Sequence, residues 1–190
     1  MLIGILAIQG AFIEHKHMLD QLHVDSFEIR QKKDLHQKMD GLILPGGEST
    51  AMHRLLTDLD LYKDLKDMIL NGLPVFGTCA GMILLARDIS NQEVKHFQVM
   101  DITVERNAYG RQLGSFFTED FFNGVKIPMT FIRAPYVKAY GKDVLVLSTV
   151  KDRVVAVRDK NMLATAFHPE LTQNTTIHSY FIQMIKDFKK

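Results

Sequence analysis

The sequence predicts an α/β protein whose central sheet is mostly parallel. Short apolar runs alternate with segments of helical spacing: the runs lie at residues 2–8, 26–29, 41–44 and 74–77, and the helical segments at 13–22 and 61–70. The run at 41–44 is continuously apolar, which is typical of a strand buried on both faces of a parallel sheet. This alternation indicates one sheet that is covered by helices.

The second half of the chain predicts antiparallel additions to that sheet. From about residue 99, strand candidates follow one another closely at 100–104, 129–132, 144–149, 154–157 and 162–167. Residues 175–188 carry apolar side chains at helical spacing and predict a closing amphipathic helix. We expect the segments at 90–96 and 121–126 to be mobile surface loops.

Length and composition predict a single domain over residues 1–190, because a chain of this size buries enough surface to fold without disulfides or metal ions. With 23 basic and 22 acidic residues, it lacks the basic footprint of a nucleic-acid-binding protein. The run at 2–8 lacks the basic region and cleavage site of a signal peptide, and no apolar stretch approaches the roughly 18 residues of a membrane span. We therefore expect a cytoplasmic protein.

The single cysteine, Cys79, lies in a pattern typical of a nucleophile. Residues 74–81 read Pro-Val-Phe-Gly-Thr-Cys-Ala-Gly, a strand and a Gly-x-Cys-x-Gly turn, and an apolar helical segment follows. In the related Gly-x-Ser-x-Gly elbow, the glycines permit a strained turn that projects the nucleophile above the sheet, near backbone N–H groups that stabilise an oxyanion. The alternative is a buried structural cysteine. No metal site is predicted, because a second cysteine and a helical His-x-x-x-His pair facing an acidic residue are both missing.

A cysteine nucleophile needs a histidine base and a group that orients the imidazole. His168 ends the predicted strand at 162–167 and is followed by Pro169 and Glu170. Because proline disfavours helix for the residue before it, we expect His168 and Glu170 to be extended neighbours whose side chains point to the same side. An ordinary loop exit is the alternative interpretation. We expect the other histidines to be surface residues without a chemical role: His15, His17, His23, His36, His53, His96 and His178.

The glycine turn at residues 45–50, Pro-Gly-Gly-Glu-Ser-Thr, follows a predicted parallel strand. Ser49 is in the position of a helix N-cap. Adjacent glycines allow a backbone N–H to turn inward, where it can serve an oxyanion hole or hold a substrate carboxylate. A phosphate-binding loop is the competing interpretation, but the required Gly-Lys-Ser/Thr does not follow.

Three motifs in this order resemble the class I glutamine amidotransferases: Gly-Gly-Glu-Ser-Thr at 46–50, Gly-Thr-Cys-Ala-Gly at 77–81 and His-Pro-Glu-Leu-Thr at 168–172. Further segments narrow the resemblance to the glutaminase subunit of pyridoxal 5'-phosphate synthase, the PdxT/SNO family. These segments are Met-Asp-Ile-Thr-Val-Glu-Arg-Asn at 100–107, Gly-Arg-Gln at 110–112 and Phe-Ile-Arg-Ala-Pro at 131–135. The resemblance extends over essentially the whole chain.

The resemblance implies a three-layer, flavodoxin-like class I glutamine amidotransferase domain. Such a domain hydrolyses L-glutamine to L-glutamate and ammonia, and no cofactor is implied. In that family the ammonia passes to a (β/α)8-barrel synthase subunit, which makes pyridoxal 5'-phosphate from ribose 5-phosphate and glyceraldehyde 3-phosphate in a large multi-subunit complex. Because the sequence shows no second domain and no ammonia-acceptor site, we expect a partner protein and an enclosed path for ammonia.

Matched motif by motif, the resemblance implies that Cys79 is the nucleophile, His168 the base and Glu170 the residue that orients it. It also implies an oxyanion hole formed by the backbone N–H groups of Gly47 and Ala80. The residues expected to contact glutamine are Gly47, Glu48, Ser49, Arg106, Ile132 and Arg133.

Two positions depart from the family pattern, since Phe117 stands where an acidic residue is common and Gln98 where glycine is usual. Both put loop conformation and partner contacts in question and leave the expected triad untouched. Three other functions remain open: the glutaminase subunit of another synthase, such as imidazole glycerol phosphate synthase; a cysteine-elbow hydrolase or stress protein that needs no glutamine; and a binding module in which Cys79→Ala changes nothing.

Overall fold

Short apolar segments of the sequence form the strands of one large sheet, and amphipathic segments form the helices that cover it. The computed structural model describes residues 1–90, 95–106 and 114–188. The strands are β1 (Leu2–Leu6), β2 (Asp25–Ile29), β3 (Gly41–Leu44), β4 (Val75–Thr78), β5 (Ala86–Ile89), β6 (Met100–Glu105), β7 (Ser115–Phe122), β8 (Val125–Ile132), β9 (Tyr136–Tyr140), β10 (Leu145–Val150), β11 (Arg153–Asp159) and β12 (Met162–Thr165). The helices are α1 (Phe12–Gln21), α2 (Ser49–Asp58), α3 (Tyr62–Leu70), α4 (Ala80–Leu85) and α5 (Thr176–Phe188), with short 3-10 helices at Lys32–His36 and Pro169–Leu171.

The large sheet divides into two regions. Its strand order is β2-β1-β3-β4-β12-β11-β9-β6-β5, and β10 also pairs with β11. The first five strands in this order are parallel, and we call them the parallel region. The remaining strands are joined mostly by antiparallel pairs, although β5 and β6 are parallel. Together with a separate hairpin of β7 and β8, they form the antiparallel region.

Helices cover both faces of the parallel region. Phe76 on β4 points to the face covered by α1 and α5, where its ring contacts the rings of His15 and Phe181. The next residue, Gly77, points to the opposite face and packs against α4. On that side α2 packs against both α3 and α4. Strands β3, β4 and β12 are therefore buried throughout, which explains why their residues are apolar except for the threonine at the end of β4 and of β12. The predicted α/β class, with a mostly parallel sheet and antiparallel additions, is confirmed.

One loop prediction is wrong. Residues 121–126 form the end of β7, a two-residue turn and the start of β8, not a loop. The turn residues Asn123 and Gly124 have φ values of 46° and 82°, as the two-residue turns of β-hairpins require. The prediction for 90–96 falls largely on residues 91–94, which lie outside the described ranges, as do Asn107 and the Gly-Arg-Gln segment at 110–112.

The two departures from the family pattern occupy different environments. Gln98 has a φ of 58°, in the left-handed region that favours glycine, so the backbone here retains the conformation that a glycine would supply. Phe117 is 63% exposed on β7, opposite Thr130 of β8. Within the described ranges, no helix is long and apolar enough to cross a membrane.

Candidate active site

Cys79 lies on a strained turn between β4 and α4. Its φ of 48° and ψ of −97° are unusual for a residue with a side chain, and such strain is concentrated at functional sites. A Cβ on Gly77 would lie 2.6 Å from the carbonyl carbon of Gly81, so the flanking glycines let the helix approach the strand closely. The backbone N–H of Cys79 donates to the carbonyl of Thr165 on β12 at 2.8 Å, which anchors the turn to the neighbouring strand.

The Cys79 sulfur faces a cavity of about 450 Å³ between the two regions of the sheet. Only 6% of Cys79 is exposed, and its Sγ lies 3.8 Å from the carbonyl oxygen of Ile132 at the end of β8. This volume falls within the range usual for small-ligand sites, roughly 300–1,000 Å³. The cavity lining consists of Gly10, Ala11, Gly46, Gly47, Glu48, Ser49, Cys79, Ile83, Arg106, Ile132, Arg133, His168 and Leu171.

His168 and Glu170 form a buried pair beside the cysteine. Their exposed fractions are 6% and 5%, and Nδ1 of His168 lies 2.7 Å from Oε1 of Glu170. The expectation that the two residues are extended neighbours is wrong, because Glu170 lies in the 3-10 helix Pro169–Leu171. Pro169 starts that helix and keeps His168 outside it, so a tight turn, not an extended strand, brings the carboxylate back to the ring.

The environment of His168 favours the imidazolium. Burial lowers its pKa, but hydrogen bonding and charge interactions with Cys79 and Glu170 outweigh burial and raise the pKa to about 10. The backbone N–H of His168 donates to the carbonyl of Thr130 on β8 at 2.8 Å, which links the histidine to the hairpin. His168 can therefore carry a proton at neutral pH while it faces the sulfur.

The glycine turn after β3 packs directly against this histidine. A Cβ on Gly46 would collide with the imidazole of His168, so only glycine permits this approach. The prediction that Ser49 is an N-cap is wrong: the cap is Glu48, whose carboxylate accepts hydrogen bonds from the N–H groups of Thr50 and Ala51 at 3.1 and 2.6 Å. Ser49 is the first helical residue, and its hydroxyl is buried without a hydrogen-bond partner among the described residues.

Charged side chains line the outer wall of the cavity. Nη2 of Arg106 lies 3.1 Å from Oε1 of Glu48, so the end of β6 is tied to the start of α2. Although partial burial raises the pKa of Glu48, hydrogen bonds from Ala51 and Thr50 and the charge of Arg106 hold it below its ordinary value. Arg133 also lines the cavity, at the end of β8.

The structure brings the predicted site residues together. Gly47, Glu48, Ser49, Cys79, Arg106, Ile132, Arg133 and His168 all line the cavity. Glu170 lies behind His168, and Ala80 begins α4 directly after Cys79. The first N–H groups of a helix have no partner within the helix, so the Ala80 N–H is suited to an oxyanion. Within the described ranges, no group of three or more His, Cys, Asp or Glu residues could hold a metal ion.

The prediction that seven histidines are surface residues is wrong for three of them. His15, His96 and His178 are 0%, 1% and 0% exposed. His15 is part of the apolar stripe of α1, since it shares its buried face with Met18 and Leu19 at helical spacing. This spacing is a signal in the sequence that identifies His15 as a buried residue.

A buried Cys–His–Glu arrangement of this kind can attack a carbonyl carbon and protonate an amine leaving group, which is the chemistry of a cysteine amidohydrolase. Cationic and anionic side chains in the same cavity suit a small substrate that carries both charges. Comparison with known proteins defines the family within this class.

The chain belongs to the SNO glutamine amidotransferase family, which it matches over residues 5–187. It is 56% identical to the pyridoxal 5'-phosphate synthase subunit PdxT of Streptococcus pneumoniae (strain CGSP14), with 98% of each chain covered. It is also 56% identical to the PdxT subunit of Haemophilus influenzae (strain PittEE), with 98% of this chain and 99% of the relative covered. A crystal structure of a glutamine amidotransferase superposes with a TM-score of 0.91 at 39% identity, covering 97% of this chain and 98% of the other.

Proposed function

We propose that this chain is the glutaminase subunit of a pyridoxal 5'-phosphate synthase. It hydrolyses L-glutamine to L-glutamate and ammonia and delivers the ammonia to a synthase partner. The observation that carries the proposal is the buried His168–Glu170 pair beside Cys79, in a chain that matches PdxT subunits over nearly its full length. The amidotransferase geometry supports the reaction, and the relatives support the pathway.

The first half of the reaction forms a thioester. The sulfur of Cys79 attacks the side-chain carbonyl carbon of glutamine after His168 has taken the thiol proton. The carbonyl oxygen becomes an oxyanion, which the backbone N–H groups of Gly47 and Ala80 stabilise. When the tetrahedral intermediate collapses, the carbon–nitrogen bond breaks and His168 returns its proton to the departing ammonia. The raised pKa of His168 supports this step, because the imidazolium is the form that donates.

The second half of the reaction regenerates the enzyme. His168 takes a proton from water, and the resulting hydroxide attacks the thioester carbon. The carbon–sulfur bond then breaks, the sulfur recovers its proton, and glutamate is released. Throughout both halves Glu170 keeps the imidazole in one orientation through its 2.7 Å hydrogen bond to Nδ1.

Charged groups of the cavity recognise the amino-acid end of glutamine. The guanidinium groups of Arg106 and Arg133 suit the α-carboxylate, and the carboxylate of Glu48 suits the α-ammonium group. The unpartnered hydroxyl of Ser49 and the exposed backbone of Gly47 are available to complete these contacts, with Ile132 packing against the aliphatic part. Glutamine bound in this orientation would have its side-chain amide, not its α-carboxylate, at the sulfur.

The ammonia acceptor lies on another polypeptide. The resemblance of this chain to PdxT supports a (β/α)8-barrel synthase subunit as the partner, in a multi-subunit complex that encloses the path of ammonia. Enclosure matters because free ammonia takes up a proton in water and loses its nucleophilicity. We expect the complex to form in the cytoplasm, and we propose that residues 1–190 act as one domain within it.

The experiment that tests this function measures glutamate release from L-glutamine by the purified chain, alone and with the synthase subunit of the same organism. We expect activity that appears or increases with the synthase. Cys79→Ala is expected to reduce kcat about 10⁴-fold or more, because the nucleophile acts as a unit with its base. His17 is exposed on α1, so the variant His17→Gln serves as a control and is expected to keep full activity.

Three outcomes contradict the proposal. If the wild-type chain releases no glutamate with or without the synthase, the glutaminase assignment is wrong. If glutamate forms only with a different synthase, such as imidazole glycerol phosphate synthase, the reaction is right and the pathway is wrong. Turnover that persists in Cys79→Ala would remove the sulfur from the mechanism.

A further inference from the structure

Two buried histidines, His15 and His178, lie behind the Cys79–His168–Glu170 group. His15 of α1 and His178 of α5 are both fully buried, and Nδ1 of His15 lies 2.9 Å from Nε2 of His178. The other ring nitrogen of His15, Nε2, lies 3.2 Å from the hydroxyl of Thr78 and 3.6 Å from Oε2 of Glu170. Burying two imidazoles is costly, so their hydrogen-bonding roles decide what they contribute.

The two carboxylate oxygens of Glu170 have different environments. Oε1 accepts the hydrogen bond from Nδ1 of His168. Oε2 is buried and has no hydrogen-bond partner among the described residues. An ionised carboxylate oxygen left unpaired in the interior is strongly unfavourable. Nε2 of His15 lies 3.6 Å from Oε2.

Both histidines of the pair are neutral. Burial, followed by the neighbouring charges of His178 and His168, lowers the pKa of His15 well below its ordinary value. Burial lowers the pKa of His178 to about 3. Each ring therefore carries one N–H group, and the position of that proton is set by the hydrogen bonds around it.

The hydrogen bonds favour one arrangement of the two protons. If Nε2 of His178 donates to Nδ1 of His15, then His15 carries its own proton on Nε2 and directs it towards Glu170 and Thr78. The opposite arrangement points a bare nitrogen of His15 at the carboxylate. It also leaves an N–H on Nδ1 of His178, an atom that is buried without a partner among the described residues. The first arrangement directs an N–H at the carboxylate and leaves Nδ1 of His178 as an unpaired acceptor, which costs less than an unpaired N–H.

We propose that His15 is a positioning residue of this site, whose Nε2–H holds Oε2 of Glu170 so that Oε1 stays on Nδ1 of His168. The inference rests on the glutaminase function proposed above. A neutral His15 offers a donor to the carboxylate and adds no positive charge beside the imidazolium of His168. The 3.6 Å separation is expected to shorten during turnover, since catalytic contacts often tighten in the substrate complex.

Two substitutions of His15 separate this role from simple packing. A glutamine amide reaches the position of the imidazole Nε2, so His15→Gln retains a donor towards Glu170. An asparagine amide reaches only the position of Nδ1, so His15→Asn retains the contact with His178 and loses the donor. With the synthase subunit present, we expect His15→Asn to lower kcat about 10- to 100-fold at unchanged KM. We expect His15→Gln to recover most of that loss.

Asn161→Leu provides a control for loss of stability alone. The buried Asn161 side chain donates to the carbonyls of Ile69 and Leu73 at 3.1 and 2.8 Å, at the end of β12 opposite to His168. We expect this variant to lower the thermal midpoint and leave kcat unchanged. If His15→Asn behaves like Asn161→Leu, or if His15→Gln and His15→Asn have the same kcat, then His15 is a packing residue and the proposal fails.

A measurement that does not depend on catalysis tests the positioning role independently of the glutaminase function. The Nδ1 proton of His168 is shielded from solvent exchange by its bond to Glu170, and proton NMR detects it. We expect the signal in the wild type and in His15→Gln, and a weakened signal in His15→Asn. A wild type that releases no glutamate but shows this pattern would overturn the function and retain the positioning role. An equal signal in all three proteins would overturn the positioning role.

Discussion

The parallel and antiparallel regions contribute different parts of the same cavity. The parallel region supplies Cys79, at the end of β4, and His168, shortly after β12, on buried backbone that neighbouring strands hold in register. The antiparallel region supplies Arg106 and Arg133, at the ends of β6 and β8, on a wall that faces solvent. In the proposed function, buried strand ends hold the reacting atoms, whereas the more exposed wall supplies charges for binding the substrate. Substitutions in the two regions should therefore have different kinetic effects.

Among substitutions outside the Cys79–His168–Glu170 group, Gly46→Ala should have the largest effect, because the new methyl group would collide with the imidazole of His168. Displacing a catalytic group by about 1 Å costs roughly a hundredfold in rate, so kcat for glutamate release should fall about that much. Gly114→Ala, next to β7, is the matched control, because none of the residues that the structure describes lies within 4 Å of its added Cβ. Equal activities of the two variants would show that the parallel region tolerates movement of His168.

The stability of the parallel region should be sensitive to acid. Because burial lowers the pKa of His178 to about 3, the unfolded chain binds a proton that the folded chain does not between pH 6.5 and about 3. The free energy of unfolding should therefore fall by about 1.4 kcal/mol per pH unit through His178 alone as pH decreases in this window. Denaturant titrations of His178→Gln between pH 6 and 4 should show a slope smaller by that amount. The exposed His17→Gln should keep the wild-type slope; a wild-type slope in His178→Gln would contradict the assignment.

Arg133→Gln should change substrate binding more than chemistry. The variant keeps a polar side chain and removes the charge that suits the α-carboxylate of glutamine, so KM should rise about tenfold or more at similar kcat. Arg54→Gln removes the same charge from an 84% exposed side chain on α2 and should leave both constants unchanged. A fall in kcat at unchanged KM would mean that the outer wall also positions the reacting atoms.

Gln98→Gly should have the smallest effect, and it should stabilise the protein, whereas Gly46→Ala and Arg133→Gln impair its activity. Glycine adopts the positive φ of 58° without the cost that a side chain incurs, and this gain exceeds its entropic disadvantage by about 0.5 kcal/mol. Chemical denaturation should show a more stable variant. Gln37→Gly, where φ is −74°, is the control and should be less stable than the wild type. Destabilisation by Gln98→Gly would mean that its weak side-chain bond to the carbonyl of Arg87 matters more than backbone strain.

The fold was predictable where a strand is buried on both faces. Strands β1, β3, β4 and β12 stand out as mainly apolar runs, because parallel strands under two helical layers bury both of their faces. Strand β5, Ala-Arg-Asp-Ile, has no such run, because it lies at the sheet edge with its middle residues partly exposed. The hairpin turn was predictable from Asn123-Gly124, the dipeptide that favours positive φ at both positions.

The residues of the candidate site were predictable from its motifs. The buried histidines that pack behind them were not. Gly-x-Cys-x-Gly and His-Pro-Glu identify Cys79, His168 and Glu170, because each motif is a short stretch of chain whose local geometry depends on its own residues. His15 and His178 meet across 163 positions, and nothing local in the sequence records that contact. Helical spacing shows that each belongs to a buried face. It does not show which polar group lies opposite.

The near-complete enclosure of Cys79 also affects the redox chemistry of the chain. Cys79 is the only cysteine among 190 residues, so a sulfenic acid formed on it would have no second thiol of its own chain with which to form a disulfide. Further oxidation to a sulfinic acid would inactivate the molecule irreversibly. With 6% of the residue exposed, the thiol is reached through the cavity that it lines, so small oxidants and the proposed substrate share one route to the sulfur. In the proposed reaction, glutamine bound in that cavity would therefore also shield the sulfur from oxidants.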